Sequence, residues 1–183
     1  MLRSLRRGRH ERAGFALYAV AVAAARAPFL YAELGVPDTL DGRFDLVSVY
    51  AALLIRRLRA APVPGPALAQ AVFDAMFSDM DVTLRELGVG DLSVGKRVRT
   101  MWEAFHGRAA AYEPLLAAGD AAGLAEALVR NVWRGAPAPG APALARRILA
   151  EDAALARQAL DRLAAGEVAF LPQGAEPGME FAS

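Results

Sequence analysis

The sequence predicts an all-α fold, a single compact domain of about six helices with no significant sheet. Apolar residues recur at three- and four-residue steps through several long segments, the signature of one helix face after another. The hydrophobic share is 55%, but much of it is alanine, the strongest helix former and a residue that buries little area. Proline and glycine fall between the periodic segments and punctuate them. A length of 183 residues suits one domain with a sizeable core.

Residues 1–12 read as a basic N-terminal tail carrying Arg3, Arg6, Arg7, Arg9 and Arg12. The first helix, 11–26, has Phe15, Tyr18 and Val22 on its inner face and stops before Pro28, because the residue before a proline avoids helical backbone. A basic start followed by the apolar run Gly14–Ala25 has the outline of a signal sequence. The run lacks leucine density, Arg26 closes it, and it is shorter than the roughly 20 apolar residues of a membrane span. A buried first helix is the expectation.

A short piece, 28–34, leads to the turn Gly35–Asp38. The second long helix, 43–60, carries Leu46, Val47, Val49, Tyr50, Leu53, Leu54 and Leu58, a stripe wide enough for a central position. Asp41 and Asp45 at its start, with Arg56, Arg57 and Arg59 at its end, complement the helix dipole. Pro62, Pro64 and Pro66 mark a linker, and Pro66 is placed to open the third helix. That helix, 66–87, sets Phe73, Met76, Phe77, Met80, Leu84 and Leu87 on one side. Asp74, Ser78, Asp81 and Arg85 share another side, and Gly88 supplies the left-handed stop.

The fourth helix, 95–117, spaces Val98, Trp102, Phe105, Tyr112 and Leu116 along one face, with Pro114 expected to bend or shorten it. Asp120 is the expected N-cap of a fifth helix running to Trp133. Residues 135–142 read as a Pro/Gly-rich flexible or extended linker. The last helix, 142–164, has Leu149, Ala153, Ala156, Leu160 and Leu163 as its inner stripe. Arg147–Glu151 and Arg157–Asp161 are expected as i,i+4 pairs on its outside. The helical domain thus spans 13–165, and 166–183 is a tail.

Composition narrows the function. A formal net charge of +1 is too balanced to draw DNA by bulk electrostatics. The chain has no cysteine, which excludes disulfides and thiolate chemistry and suits a reducing, cytoplasmic setting. Lys96 is the only lysine among 21 basic residues; this is a genomic usage bias with no functional reading.

Gly90-Asp-Leu-Ser-Val-Gly-Lys96 matches the first part of a phosphate loop, whose amides and lysine cradle phosphates after a buried strand. Arg97 stands where the magnesium-binding Ser or Thr belongs, and a helix precedes the loop. A glycine-punctuated turn between helices is the preferred reading, with a nucleotide-using enzyme as a minor alternative. Asp74, Asp79, Asp81 and Glu86 divide between two helix faces and have no histidine nearby, so no metal site or catalytic pair is expected from them. His10 and His106, the only histidines, lack a relay partner in the sequence. Arg130 and Asn131 fit either a dipole-complementing helix end or a polar contact with another helix or client. The N-terminal arginines leave open an RNA- or ribosome-binding module, or contact with anionic lipid. Ordered helix faces without a reaction centre favour binding over catalysis.

One ordered set of residues points further. Phe77-Ser-Asp-Met-Asp-Val-Thr-Leu-Arg-Glu-Leu-Gly-Val-Gly-Asp-Leu-Ser-Val-Gly-Lys96, then Phe105-His-Gly-Arg108, Ala111-Tyr112, Asp120 and Leu124–Asn131 follow in the order and spacing of a known family. Over residues 30–135 the chain resembles the bacterial branch of the ubiquinol–cytochrome c chaperone family. The resemblance implies an assembly chaperone for the ubiquinol–cytochrome c reductase complex that works without catalysis or cofactor. It implies newly made cytochrome b as client. The mitochondrial relatives also act with a small second chaperone and sit near the ribosomal exit tunnel. A bacterial relative is expected in the cytoplasm, with peripheral contact at the inner membrane. The implied partner-binding residues are Asp79, Asp81, Arg85, Gly107, Tyr112, Asp120, Arg130 and Asn131, together with Asp91 and Lys96 of the turn and Arg108. Ser48-Val49 departs from the eukaryotic pattern, which has a histidine-containing stretch there.

Overall fold

In the computed structural model, which describes residues 2–173 with side chains from Gly8 onward, the chain forms eight helical segments. They are α1 Leu2–Ala25, α2 Pro28–Ala32, α3 Leu40–Arg59, α4 Gly65–Glu86, α5 Asp91–Ala118, α6 Ala121–Asn131, α7 Ala141–Arg157 and α8 Leu160–Ala164. Among the described residues there is no strand. The six long helices are the six expected; α2 and α8 have five residues each.

Helix α3 is the axis of the fold and touches α1, α4, α5 and α7. Its whole expected stripe is buried, with Leu46, Leu54 and Leu58 fully enclosed, each contributing about 2 kcal/mol relative to an exposed leucine. Thr39 caps its start by accepting a hydrogen bond from the Gly42 amide at 3.1 Å. Helices α1 and α4 cross closely because Gly14 faces Ala71. A Cβ on Gly14 would lie 2.6 Å from the Ala71 carbonyl carbon, so only hydrogen fits there.

Several sequence-based expectations change in the folded chain. The basic stretch expected as a tail is helical from Leu2, since its arginines and leucines are good helix formers and no proline interrupts them. The inner face of α1 is Ala13, Leu17, Tyr18, Ala21 and Ala25, and Phe15 is 51% exposed. The close Gly14–Ala71 contact rotates the small residues inward and Phe15 outward. Gly8–Ala32 is long and apolar enough to cross a membrane by length and composition, contrary to the shorter run counted from sequence. In this fold α1 packs along α4 and α3.

Helix α5 begins at Asp91, so Asp91 and Lys96 belong to a helix and not to a turn. Gly90 is its extended N-cap and Asp91 supplies the acidic first turn, which the dipole favours. The reversal is confined to Leu87–Gly90, where Gly88 takes φ +79. Pro114 is exposed inside α5, and the helix continues to Ala118 before Gly119 closes it at φ +65. The 135–142 linker is packed only near its end, and Gly135, Ala136, Pro137 and Pro139 are exposed. Ala141 is buried, and Gly140 presses against the Leu34 carbonyl so closely that a Cβ would meet it at 2.0 Å.

The last helix is broken. Gln158 turns extended between α7 and α8, although no proline or glycine marks the place. Long-range hydrogen bonds compensate for the break. Arg57 donates to the Leu155 and Gln158 carbonyls at 2.9 and 2.8 Å. The Gln158 side chain exchanges two bonds with the Ala169 backbone, at 2.6 and 2.9 Å. The break also removes the i,i+4 geometry expected for Arg157–Asp161. The buried stripe of α7 is Leu144, Ile148, Glu151 and Leu155, while Ala153 and Ala156 are exposed. An alanine-rich helix has apolar residues in more than one phase, and the leucine–isoleucine phase is the one that packs.

Glu151 is therefore inside. Its carboxylate pairs with Arg147 at 2.8 Å and accepts the Leu171 amide at 2.9 Å. Arg147 also donates to the Leu171 and Pro172 carbonyls. These bonds tie residues 167–173 onto the body, where Phe170 meets Tyr50 edge-on at 5.1 Å and Leu171 is buried. The C-terminal tail expected from 166 is packed at least to Leu171, and residues 174–183 lie outside the described residues.

Candidate partner-binding groove

An open concavity lies where α1, α3, α4 and the first half of α5 fail to close on one another. It is a groove of about 660 Å³, within the ~300–1,000 Å³ range of ligand sites. Its apolar part comes from Phe44 and Val47 of α3, Met80 and Leu84 of α4, and Met101 of α5. Its charged part comes from Arg26 just after α1, Asp79 of α4, Lys96, Arg97 and Arg108 of α5, and Arg134 beyond α6. Helical periodicity explains the division: steps of three and four place Met80 and Leu84 on one line, and Lys96, Thr100 and Ala104 on another.

A buried ion-pair cluster closes one end. Asp45 is 1% exposed and pairs with Arg108 and, at 2.7 Å, with Arg134. Burial pushes the Asp45 carboxyl up, and the two guanidiniums pull it down. Arg108 also lies over the Phe44 ring at 5.8 Å. Arg134 reaches Asp45 from a left-handed backbone, φ 55. The sequence placed Asp45 at a helix start as a dipole partner; its burial corrects that reading, because the two arginines converge on it from distant segments.

At another edge Tyr18 donates its hydroxyl to Asp79 at 2.8 Å. Burial, then the adjacent carboxylate, raises the Tyr18 pKa, so it remains a donor. Arg26, Lys96 and Arg97 have no ion pair among the described residues. They are the free cations of the groove, and the exposed Asp41 is likewise without an ion pair among the described residues.

The expected partner-binding residues separate into three groups. Asp79, Lys96 and Arg108 line the groove together. Asp81, Arg85 and Asp91 instead form one exposed chain of ion pairs, Asp81 to Arg85 at 2.7 Å and Arg85 to Asp91, across the α4–α5 corner. The remaining residues lie on the far half of α5 and on α6. Tyr112 is buried and accepts from the Asn131 amide at 3.0 Å, pinning α6 to α5, and burial raises its pKa to about 12. Asp120 caps α6, accepting from the Gly123 amide at 2.9 Å. Gly107 and Arg130 are exposed away from the groove.

Sequence reasoning missed Arg26, Arg97, Met101 and Arg134 as groove residues. Arg97 had a signal, its place beside Lys96; Arg134 had none, because its reach depends on the turn after α6. His106 stacks on Trp102 with centroids 4.1 Å apart and sits within an aromatic cluster with Phe73 and Phe105. No group of acidic or histidine side chains fit to hold a metal occurs among the described residues. The phosphate-loop match has helical backbone from Asp91 onward, which does not form a cradle of converging amides.

Comparisons with known proteins agree with this architecture. Residues 32–170 match the family model described as ubiquinol–cytochrome C chaperone. A solved structure, the crystal structure of the Cbp3 homolog from Brucella abortus, is 36% identical, with a TM-score of 0.82. The match covers 94% of this chain and 97% of that one. No curated protein matches the chain.

Proposed function

This chain belongs to the ubiquinol–cytochrome c chaperone family, and from that premise we propose that it holds newly made cytochrome b in the groove between α3, α4 and α5 during complex III assembly. The observation that carries the reading is the groove itself, floored by the packed Met80, Leu84 and Val47, opened by the half-buried Phe44 and Met101, and edged by unpaired charges. Methionine adapts its shape to varied apolar partners. Exposed charge beside it keeps the site wet and reversible until a client displaces the water.

Holding of this kind uses complementary surfaces and neither nucleotide nor metal. Asp79, Lys96 and Arg108 act at the groove. Asp81, Arg85 and Asp91 set the angle of the corner that shapes it, and Tyr112, Asp120 and Asn131 hold the far half of α5 against α6. We place the activity at the cytoplasmic face of the inner membrane, from which a bacterial cytochrome b is inserted.

The test is recovery of tagged protein from mildly solubilised native membranes, with cytochrome b as the probed client. Thr100 is exposed and lines the groove, so Thr100→Trp fills it without entering the core. The wild type should enrich cytochrome b over other membrane proteins, and Thr100→Trp should lose that enrichment. Equal recovery by both, or none by the wild type, would overturn the reading.

A further inference from the structure

The groove has a charge sign as well as an apolar floor. Six basic side chains line it against the three carboxylates of Asp41, Asp45 and Asp79. The pairing is uneven. Asp45 is consumed by Arg108 and Arg134, and Asp79 accepts from Tyr18. Arg43 pairs outside the groove with Asp38. Arg26, Lys96 and Arg97 remain exposed and without an ion pair among the described residues. Lys96 and Arg97 are consecutive on α5 and both line the groove, with Arg26, just after α1, contributing from another part of the chain.

We infer that the groove selects a polypeptide segment in which acidic residues flank apolar ones, and that Arg26, Lys96 and Arg97 set this preference. The inference rests on the proposed function for its setting and adds the chemistry of the bound segment. Charge complementarity chooses the occupant: six cations against three carboxylates leave the groove net positive, so a basic segment of equal apolarity meets repulsion that the exposed Asp41 and Asp79 only partly offset. Such like-charge contact disfavours the wrong partner more than it strengthens the right one. Methionines at Met80 and Met101 take apolar side chains of varied shape. Thr83 and Ser93 also line the groove, and their hydroxyls can donate to or accept from a polypeptide backbone.

The experiment uses the full chain and two fluorescent synthetic peptides of identical leucine, methionine, phenylalanine and alanine content. One carries glutamates at both ends and the other lysines at the same places. Fluorescence anisotropy at low salt should show the acidic peptide binding about tenfold more tightly, and high salt should shrink the gap. Lys96→Glu with Arg97→Glu should abolish the preference. Arg99→Glu, on an outward side chain 79% exposed and paired with Glu103, should leave it intact. Equal binding of the two peptides, or a preference that survives Lys96→Glu/Arg97→Glu, would overturn the inference. Cytochrome b recovery reports separately: discrimination between peptides without that recovery removes the client and keeps the groove chemistry.

Discussion

Helix α3 and the first half of helix α5 both border the groove and both belong to long helices, yet they have opposite fates. Helix α3 is buried on several sides by α1, α4, α5 and α7. From Asp91 to Ala104, α5 buries Val94 alone, leaves Leu92 fully exposed and Trp102 45% exposed. Beyond Phe105 the same helix returns to the body through Tyr112 and Leu116. Helix formation is thus shared, whereas packing divides α5 into a structural half and a half that borders an open groove. The expected site residues follow that division. Those before Gly107 lie at the groove or its corner, and most of those after it hold helices together.

The contrast is broken most sharply by truncating one leucine on each side. Leu54→Ala in α3 should lower stability by about 3 kcal/mol through a cavity, whereas Leu92→Ala should change it by less than about 0.5 kcal/mol. Urea denaturation of the two variants checks the difference, and similar losses would mean that the start of α5 is not open. Asp45→Ala leaves the partly buried Arg108 without its carboxylate and should cost about 2–3 kcal/mol, less than the full range because Arg134 is half exposed. The same variant should loosen α5, seen as faster amide exchange between residues 100 and 112.

Smaller effects sharpen the boundary. Gln158→Ala removes both side-chain bonds to Ala169 and should cost about 1 kcal/mol, with earlier proteolysis of the C-terminal segment. Gly107 is helical, and a Cβ there meets no neighbouring atom within 4 Å. Gly107→Ala should therefore raise stability by about 0.5–1 kcal/mol. If thermal melts show that gain while cytochrome b recovery falls, Gly107 belongs to the client surface despite lying away from the groove.

The all-α class, the six long helices and the central place of α3 were legible because a wide leucine–valine stripe admits one phase only. Asp120 as a cap was legible for the same local reason. The phase of α7 was not, since Leu149, Ala153 and Ala156 offer an apolar face as regular as the true one. Nor was the break at Gln158, which depends on Arg57 and Ala169, far away in sequence. Of the residues expected to bind a partner, Asp79, Lys96 and Arg108 come together along the candidate groove. The Asp45–Arg134 pair and the place of Arg26 in the groove were not legible, because they depend on α3, the turn after α6 and the end of α1 converging.

The central claim is tested most directly by photo-crosslinking in native membranes, with a photoreactive residue placed at Thr100 in the groove or at Ala153 on the exposed side of α7. The account predicts cross-links to newly made cytochrome b from position 100 and none from position 153. Cross-links from position 153 alone, or from neither position while cytochrome b is being made, would contradict it.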